Sequence, residues 1–129
     1  MAYILLVEDN QANADMAIRI LESANYEVKH CLLALEGAQM ARLKRPDVIL
    51  MDYDLPDLDG RTMTLLLKKQ LKPTPPPIVA VTARTGVNEM RLAEKFGFDG
   101  FISKPFLPAE LLDIIKQILQ TFPPNQPQK

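Results

Sequence analysis

The sequence predicts a flavodoxin-like, doubly wound α/β domain, with a five-stranded parallel sheet of order 2-1-3-4-5 and helices on both faces. Short apolar runs and segments of helical period alternate five times along the chain. Four of the five runs are apolar without alternation, which is typical of strands covered on both faces. The chain of 129 residues is long enough for one such domain and too short for two.

The predicted strands are short apolar runs that end at turn or charge signals. In the second run Tyr26, Val28 and His30 alternate with charged residues, which favours a strand at the edge of the sheet. The five predicted strands are Tyr3–Val7, Tyr26–His30, Val48–Met51, Ile78–Val81 and Gly100–Ile102.

The predicted helices fill the connections between strands, because parallel strands need long right-handed crossovers. An apolar stripe at helical spacing indicates a first helix between Asn13 and Ala24. A similar stripe predicts the last helix between Leu111 and Leu119, and Pro108 suits its first position. The three remaining predicted helices, which are shorter and less regular, are Leu35–Lys44, Arg61–Leu71 and Asn88–Phe96.

These signals occupy residues 3–121, so we expect one domain at 1–122 and a proline-rich tail at 123–129. No room remains for a DNA-binding or enzymatic output domain, so a complete chain would signal by contact alone. The 15 basic and 16 acidic residues argue against a general nucleic-acid or anionic-membrane binder. A single cysteine, with no signal peptide or membrane span, predicts a cytoplasmic protein.

Polar residues follow four of the predicted strands, at the edge where open parallel sheets place their ligands. They are Glu8, Asp9, Asp52, Thr82 and Lys104. Three carboxylates at one edge repel one another unless a cation joins them, and oxygen-only ligands favour Mg²⁺ over zinc. Such a site suits phosphoryl transfer, in which an aspartate attacks phosphorus and forms an acyl phosphate.

The lone histidine and the lone cysteine of the chain are adjacent, at His30 and Cys31. His30 ends the predicted edge strand and Cys31 follows it, and both are expected to lie away from the acidic cluster. Two isolated ligands do not make a soft-metal site, so a structural role is predicted for both.

Four stretches of the sequence resemble the receiver domains of two-component response regulators: ILLVEDNQAN, PDVILMDYDLPDLDG, IVAVTA and GFDGFISKPF. They span nearly the whole chain in the family's order. The resemblance implies a phosphorylation switch that accepts a phosphoryl group from a histidine kinase or histidine phosphotransfer protein. Such a protein catalyses only its own phosphorylation and dephosphorylation, and it signals through the face of the fourth helix, fifth strand and fifth helix. The kinase, the target, and the choice between a monomer and a phosphorylation-dependent dimer stay open.

The resemblance also implies a role for each acid of the cluster. Asp52 would accept the phosphoryl group. Mg²⁺ would be held by the carboxylates of Glu8, Asp9 and Asp52 and by the backbone carbonyl of Asp54.

The other residues of the cluster would contact the phosphoryl group or respond to it. Lys104 would contact the phosphoryl group, and Thr82 would donate a hydrogen bond to it. Phe101 stands where the family has a switch aromatic, without the hydroxyl of the commoner tyrosine. The Lys104–Pro105 bond is cis in many relatives, and the sequence permits either isomer.

Some positions depart from the family pattern. Ala34 stands where the family usually has a glycine, and Gly37 and Ala38 replace a usual alanine and leucine, which predicts a loosened second helix with a remodelled start. Asp54 is an uncommon acid two residues after the phosphoacceptor, and Arg84 stands two residues after Thr82. We hypothesise that Asp54 and Arg84 pair over the site and tune the lifetime of the acyl phosphate.

Two other functions remain as alternatives. The run VILMDYDL is similar to the first motif of haloacid-dehalogenase-type phosphatases, in which Asp52 would be the nucleophile and Asp54 the general acid. Those enzymes place the motif on their first strand and carry a further acid pair, whereas here only Glu110 and Asp113 follow Lys104. The second alternative is a binding module that retains the receiver fold without phosphorylation.

Overall fold

The computed structural model describes residues 1–124, and the remainder of the predicted tail, 125–129, lies outside the described residues. In the described part of the chain, no helix is long and apolar enough to cross a membrane. Strands and helices alternate throughout, as β1 (Tyr3–Val7), α1 (Gln11–Ser23), β2 (Glu27–Cys31), α2 (Ala34–Leu43), β3 (Val48–Asp52), α3 (Gly60–Gln70), β4 (Ile78–Thr82), α4 (Val87–Lys95), β5 (Gly100–Ser103) and α5 (Pro108–Thr121).

The five strands form one parallel sheet in the order β2-β1-β3-β4-β5, which confirms the predicted fold. The winding reverses between β1 and β3, which pair directly although α1, β2 and α2 separate them along the chain. Ile4 lies opposite Val48, and Val7 lies opposite Met51. The carboxyl ends of the two central strands therefore finish side by side, where sheets of this kind bind ligands.

Apolar side chains fill both faces of the sheet because successive residues of a strand point to opposite sides. Leu5 and Val7 of β1 belong to the core that packs under α2, α3 and α4. Ile4 and Leu6 of the same strand belong to the core under α1 and α5. The unbroken apolar runs that predicted the inner strands thus reflect two separate cores.

Strand and helix bounds lie within one or two residues of the predicted ones. β3 and β4 each extend one residue further than predicted, because Asp52 and Thr82 still pair with the neighbouring strand. β2 is displaced one residue along the chain to Glu27–Cys31. Tyr26 instead donates its N–H to the carbonyl of Leu21 at 3.2 Å and closes the turn after α1.

The second helix is continuous over ten residues despite Gly37. A methyl group at Gly37 would come within 2.8 Å of the Val7 side chain and 3.2 Å of the Cys31 sulfur. The glycine therefore lets α2 lie close to the sheet, and this packing offsets its low helix propensity. The predicted loosening of this helix is not observed.

Candidate functional site

The carboxyl edge of the sheet brings together the polar residues singled out in the sequence. Glu8 and Asp9 follow β1, Asp52 ends β3, Thr82 ends β4 and Lys104 follows β5. Glu8, Asp52 and Thr82 are buried, whereas Asp9 is exposed. The Lys104 backbone N–H donates to the Thr82 carbonyl at 2.8 Å, which holds the loop after β5 against β4.

The Lys104 ammonium lies between two buried carboxylates. Its Nζ donates to Glu8 Oε1 at 2.7 Å and to Asp52 Oδ2 at 3.2 Å. These contacts join the loop after β5 to the loop after β1 and to the end of β3. One ammonium therefore serves two carboxylates that have lost most of their water, so negative charge exceeds positive charge inside the site.

Burial and the neighbouring carboxylate alter the ionisation of Glu8. Burial of its carboxyl group and a hydrogen bond with Asp52 raise the pKa of Glu8 to about 7, and the opposing effect of Lys104 is smaller. Burial alone would lower the pKa of Lys104, but its contacts with Glu8 and Asp52 outweigh burial and raise that pKa. The site thus favours one additional positive charge, which a proton on Glu8 or a metal ion would provide.

The geometry of the carboxylates fits a hard cation. One oxygen from each of Glu8, Asp9 and Asp52 can be chosen so that all three lie within 4.8 Å of one another. All three ligands are carboxylate oxygens, the type that Mg²⁺ prefers, and Asp9 leaves the group open to solvent. The residues present could therefore hold Mg²⁺.

The loop between β3 and α3 carries Asp54 and starts directly after Asp52. It is closed by the Gly60 N–H, which donates to the Tyr53 carbonyl at 2.9 Å. Any side chain at Gly60 would collide with the carbonyl oxygen of Asp52, so only glycine permits this close approach. Asp59 then caps α3 by accepting the Arg61 N–H at 2.8 Å.

Thr82 is the last residue of β4, and Phe101 lies in the neighbouring strand β5. The Thr82 hydroxyl is buried and accepts the N–H of Arg84 at 3.0 Å. The Phe101 ring is half-buried and packs against the core on the α4 side of the sheet. A cavity of about 210 Å³ is lined in part by Phe101 of β5, Met90 of α4 and Ile114 of α5.

Asp54 and Arg84 lie within ion-pair distance at the mouth of the site. Arg84 Nη2 is 3.7 Å from Asp54 Oδ1, and the side chains are 47% and 67% exposed respectively. A pair so exposed contributes little to stability. The hypothesis for this pair therefore concerns the access of water to Asp52 rather than stability.

The structure corrects the prediction for His30 and Cys31. Both belong to β2, and His30 Nε2 lies 2.7 Å from the backbone carbonyl oxygen of Glu8. The prediction that His30 lies away from the acidic cluster is therefore wrong, because the end of β2 pairs with the end of β1, directly before Glu8. Cys31 is buried, and burial together with Glu36 and Asp57 raises the pKa of its thiol to about 12.

Sequence reasoning also missed Asp57. Its carboxylate lies in the loop after β3 and accepts N–H groups at the start of α2, 22 and 23 residues away along the chain. Aspartate is a favoured capping residue, but local sequence identifies caps only next to the helix they serve. This contact depends on the meeting of two loops.

Comparison with known proteins gives consistent matches over most of the chain. The family model of the response regulator receiver domain matches residues 4–116. The polar-differentiation response regulator DivK of Brucella anthropi is 33% identical over 116 residues, which are 90% of this chain and 94% of that protein.

Solved structures agree with the fold. A putative response regulator from Chloroflexus aurantiacus superposes with a TM-score of 0.86 at 28% identity, covering 92% of this chain and 98% of that one. The receiver domain of the sensor histidine kinase PA1611 from Pseudomonas aeruginosa superposes with a TM-score of 0.84 at 33% identity and the same coverage. That domain was solved with a magnesium ion coordinated in its active site cleft.

Proposed function

Because this chain belongs to the response regulator receiver domain family, we propose that it accepts a phosphoryl group on Asp52 from a histidine kinase or histidine phosphotransfer protein. One observation carries the proposal. The Asp52 carboxylate is buried with the Lys104 ammonium at 3.2 Å, and its oxygen can meet those of Glu8 and Asp9 within 4.8 Å. Asp52 is therefore a nucleophile beside the positive charge of Lys104 and beside carboxylates that could hold Mg²⁺, and phosphoryl transfer requires such positive charges.

The reaction on the protein side is a single displacement at phosphorus. An Asp52 oxygen forms a bond to phosphorus, the bond from phosphorus to the donor's imidazole nitrogen breaks, and the imidazole leaves with the electron pair. Lys104 offsets negative charge on the phosphoryl oxygens and holds Asp52 in place. Mg²⁺, held by Glu8, Asp9, Asp52 and the Asp54 carbonyl, would neutralise phosphoryl oxygens.

The output would pass through Thr82 and Phe101. A Thr82 hydroxyl that donates to the phosphoryl group must turn, which disturbs the hydrogen bond it now accepts from Arg84. The cavity beside Phe101 offers space into which the ring and α4 can repack. The surface changed in this way is the one formed by α4, β5 and α5, through which we propose that the protein contacts its target.

Asp54 and Arg84 would tune the lifetime of the acyl phosphate by limiting the access of water to Asp52. The two side chains are 3.7 Å apart, and they follow Asp52 and Thr82 by two residues each, which supports this role. Because the pair would limit the access of water, we expect Asp54→Ala and Arg84→Ala each to raise the dephosphorylation rate by about threefold, the effect of a weak exposed pair. The rates would be followed by the loss of phosphorylated protein over time, and an unchanged rate in both variants would remove the hypothesis.

The proposal is tested by incubating the protein with Mg²⁺ and a small phosphodonor, followed by intact-mass measurement. We expect a stoichiometric gain of one phosphoryl group that is stable to acid and labile to base. Omission of Mg²⁺ should strongly reduce the gain. Asp52→Asn is the matched control, because it keeps the side-chain shape and removes the nucleophile, and it should show no gain.

The same experiment separates the other two functions. Sustained hydrolysis of many donors per protein would indicate the phosphatase chemistry of Asp52 and Asp54. No gain of mass with the donor, and none with a partner kinase, would indicate a binding module. General-acid catalysis favours a buried carboxyl group. The Asp54 carboxylate is instead exposed and lies 3.7 Å from Arg84, which argues against the phosphatase role.

A further inference from the structure

The first turn of α2 lacks a cap from its own segment. Its N-cap residue is Leu33, whose side chain makes no capping hydrogen bond. The N–H of Ala34 donates to Asp57 Oδ1 at 2.8 Å, and the N–H of Leu35 donates to Asp57 Oδ2 at 2.9 Å. A carboxylate from the loop after β3 therefore caps a helix that belongs to a different part of the chain.

Both hydrogen bonds are of a strong type. A carboxylate that accepts backbone N–H groups at a helix N-terminus gains from its charge and from the helix dipole. Although its limited burial raises the pKa of Asp57, the N–H groups of Leu35 and Ala34 outweigh this and lower it. Asp57 is exposed, so its side chain fills no core space and these polar contacts are what it contributes.

The loop that carries Asp57 also carries the backbone of the proposed metal site. Asp57 lies three residues after Asp54, whose carbonyl is a proposed Mg²⁺ ligand. The far end of the loop is fixed by the Gly60 N–H on the Tyr53 carbonyl at 2.9 Å. Within the loop, the Asp54 N–H is 3.4 Å from Asp52 Oδ1, a long contact that alone restrains the backbone weakly.

We propose that Asp57 is a positioning residue for the metal site, holding the β3–α3 loop against the start of α2 so that the Asp54 carbonyl stays in place for Mg²⁺. The proposal rests on the proposed function. Loss of contacts that orient metal ligands weakens metal binding by roughly 10- to 100-fold, and Asp57, which acts through the loop backbone three residues from Asp54, is expected at the lower end of that range.

Mg²⁺ affinity, measured by isothermal titration calorimetry on the full chain, tests the proposal with two variants and a control. Asp57→Ala removes both hydrogen bonds and should weaken Mg²⁺ binding by about tenfold. Asp57→Asn removes the same charge and keeps one of the two oxygen acceptors, so it should lose less Mg²⁺ affinity than Asp57→Ala. Asp47→Ala is the control, because Asp47 accepts the Tyr3 N–H at 2.7 Å at the opposite edge, and its loss should leave Mg²⁺ affinity unchanged.

A second measurement needs no metal. Amide hydrogen exchange, followed by NMR in Mg²⁺-free buffer, should quicken at Ala34 and Leu35 in Asp57→Ala, and the Asp54 amide resonance should shift. In Asp57→Asn these changes should be smaller. This readout separates loss of the loop contact from a general loss of stability, which would raise exchange throughout the sheet.

The outcomes distinguish the two proposals. Equal loss of affinity in Asp57→Ala and Asp57→Asn, with wild-type amide exchange at Ala34 and Leu35 in both variants, would mean that charge rather than the loop contact matters, and it would overturn the positioning role. Wild-type affinity in Asp57→Ala would overturn it as well. If the wild-type chain neither bound Mg²⁺ nor became phosphorylated, the proposed function itself would fall, and the positioning role with it.

Discussion

Acidic side chains lie at both edges of the sheet, but their effects on stability are opposite. At the amino edge, Asp47 and Asp99 each stand directly before a strand and accept the N–H of the first residue of a neighbouring strand. Asp47 binds the Tyr3 N–H at 2.7 Å, and Asp99 binds the Ile78 N–H at 2.9 Å. At the carboxyl edge, the acids face one another and share Lys104.

The difference lies in the partners that the carboxylates meet. Asp47 and Asp99 each accept the N–H of one strand, and Asp99 also pairs with Lys68. Glu8 and Asp52 are both buried and share the single ammonium of Lys104, so their negative charges are only partly offset. The amino edge gains stability from its acids, and the carboxyl edge keeps unfavourable negative charge that a cation can offset.

The largest expected effect comes from Asp52→Asn at the carboxyl edge. Removal of the nucleophile should abolish phosphorylation. At the same time, the loss of one of the crowded negative charges should raise the free energy of unfolding in Mg²⁺-free buffer by about 1 kcal/mol. Intact mass and thermal unfolding would measure the two effects, and a drop in stability would contradict the view that charge at this edge is unfavourable.

Gly60→Ala tests the close approach between the loop after β3 and the strand end. A methyl group there meets the Asp52 carbonyl, so the backbone that carries the phosphoacceptor must move. We expect a loss of about 3 kcal/mol in the free energy of unfolding, the upper range for overpacking. Chemical denaturation would measure it, with Thr62→Ala as the control, since Thr62 is an exposed residue of the same helix. Equal stability of the two variants would argue against the steric requirement.

Asp99→Ala tests the amino edge with a carboxylate deletion. The variant loses the hydrogen bond from the Ile78 N–H and the ion pair with Lys68 at 2.6 Å. We expect the free energy of unfolding to fall by about 2 kcal/mol, opposite in sign to the change in Asp52→Asn. Asp99→Asn keeps one acceptor and should lose less. A gain in stability in either variant would remove the contrast between the edges.

The smallest expected effect is the pH dependence that Glu8 gives to the metal-free protein. Its pKa is about 7 in the folded state, above the ordinary value of 4.5, so the folded protein binds a proton there that the unfolded chain releases. Stability from Glu8 is therefore present at low pH and is lost as the pH rises through 7. Between pH 8 and pH 6 the free energy of unfolding should rise by about 1 kcal/mol.

Thermal unfolding at several pH values would measure this slope. Glu8→Gln should remove it, because glutamine does not titrate. The lowered pKa values of Asp57 and Asp59 act only below their ordinary value of 3.8, outside this range. Saturating Mg²⁺ should abolish the trend, since the bound metal takes the place of the proton on Glu8 throughout this range. An identical slope in Glu8→Gln would assign the pH dependence to another group.

The fold and the members of the site could be predicted because both depend on patterns that are local in sequence. Unbroken apolar runs distinguish buried strands from the alternating β2, and the residue after a strand falls at the carboxyl edge. The ends of β3 and β4 were predicted one residue too early, at Met51 and Val81, because pairing with neighbouring strands decides where a strand ends. The contact of His30 with the Glu8 carbonyl depends on the pairing of β2 with β1, which is not local in sequence.

The sequence by itself determined the order of the strands, the five polar residues at one edge and the excess of acids among them. Only the tertiary structure decided how those groups pair. Lys104 lies closer to Glu8 than to Asp52, across 96 residues of sequence, and Asp57 caps a helix 22 to 23 residues before it. Such contacts form where loops meet in space, and their geometry is set by the packing of the helices on the sheet.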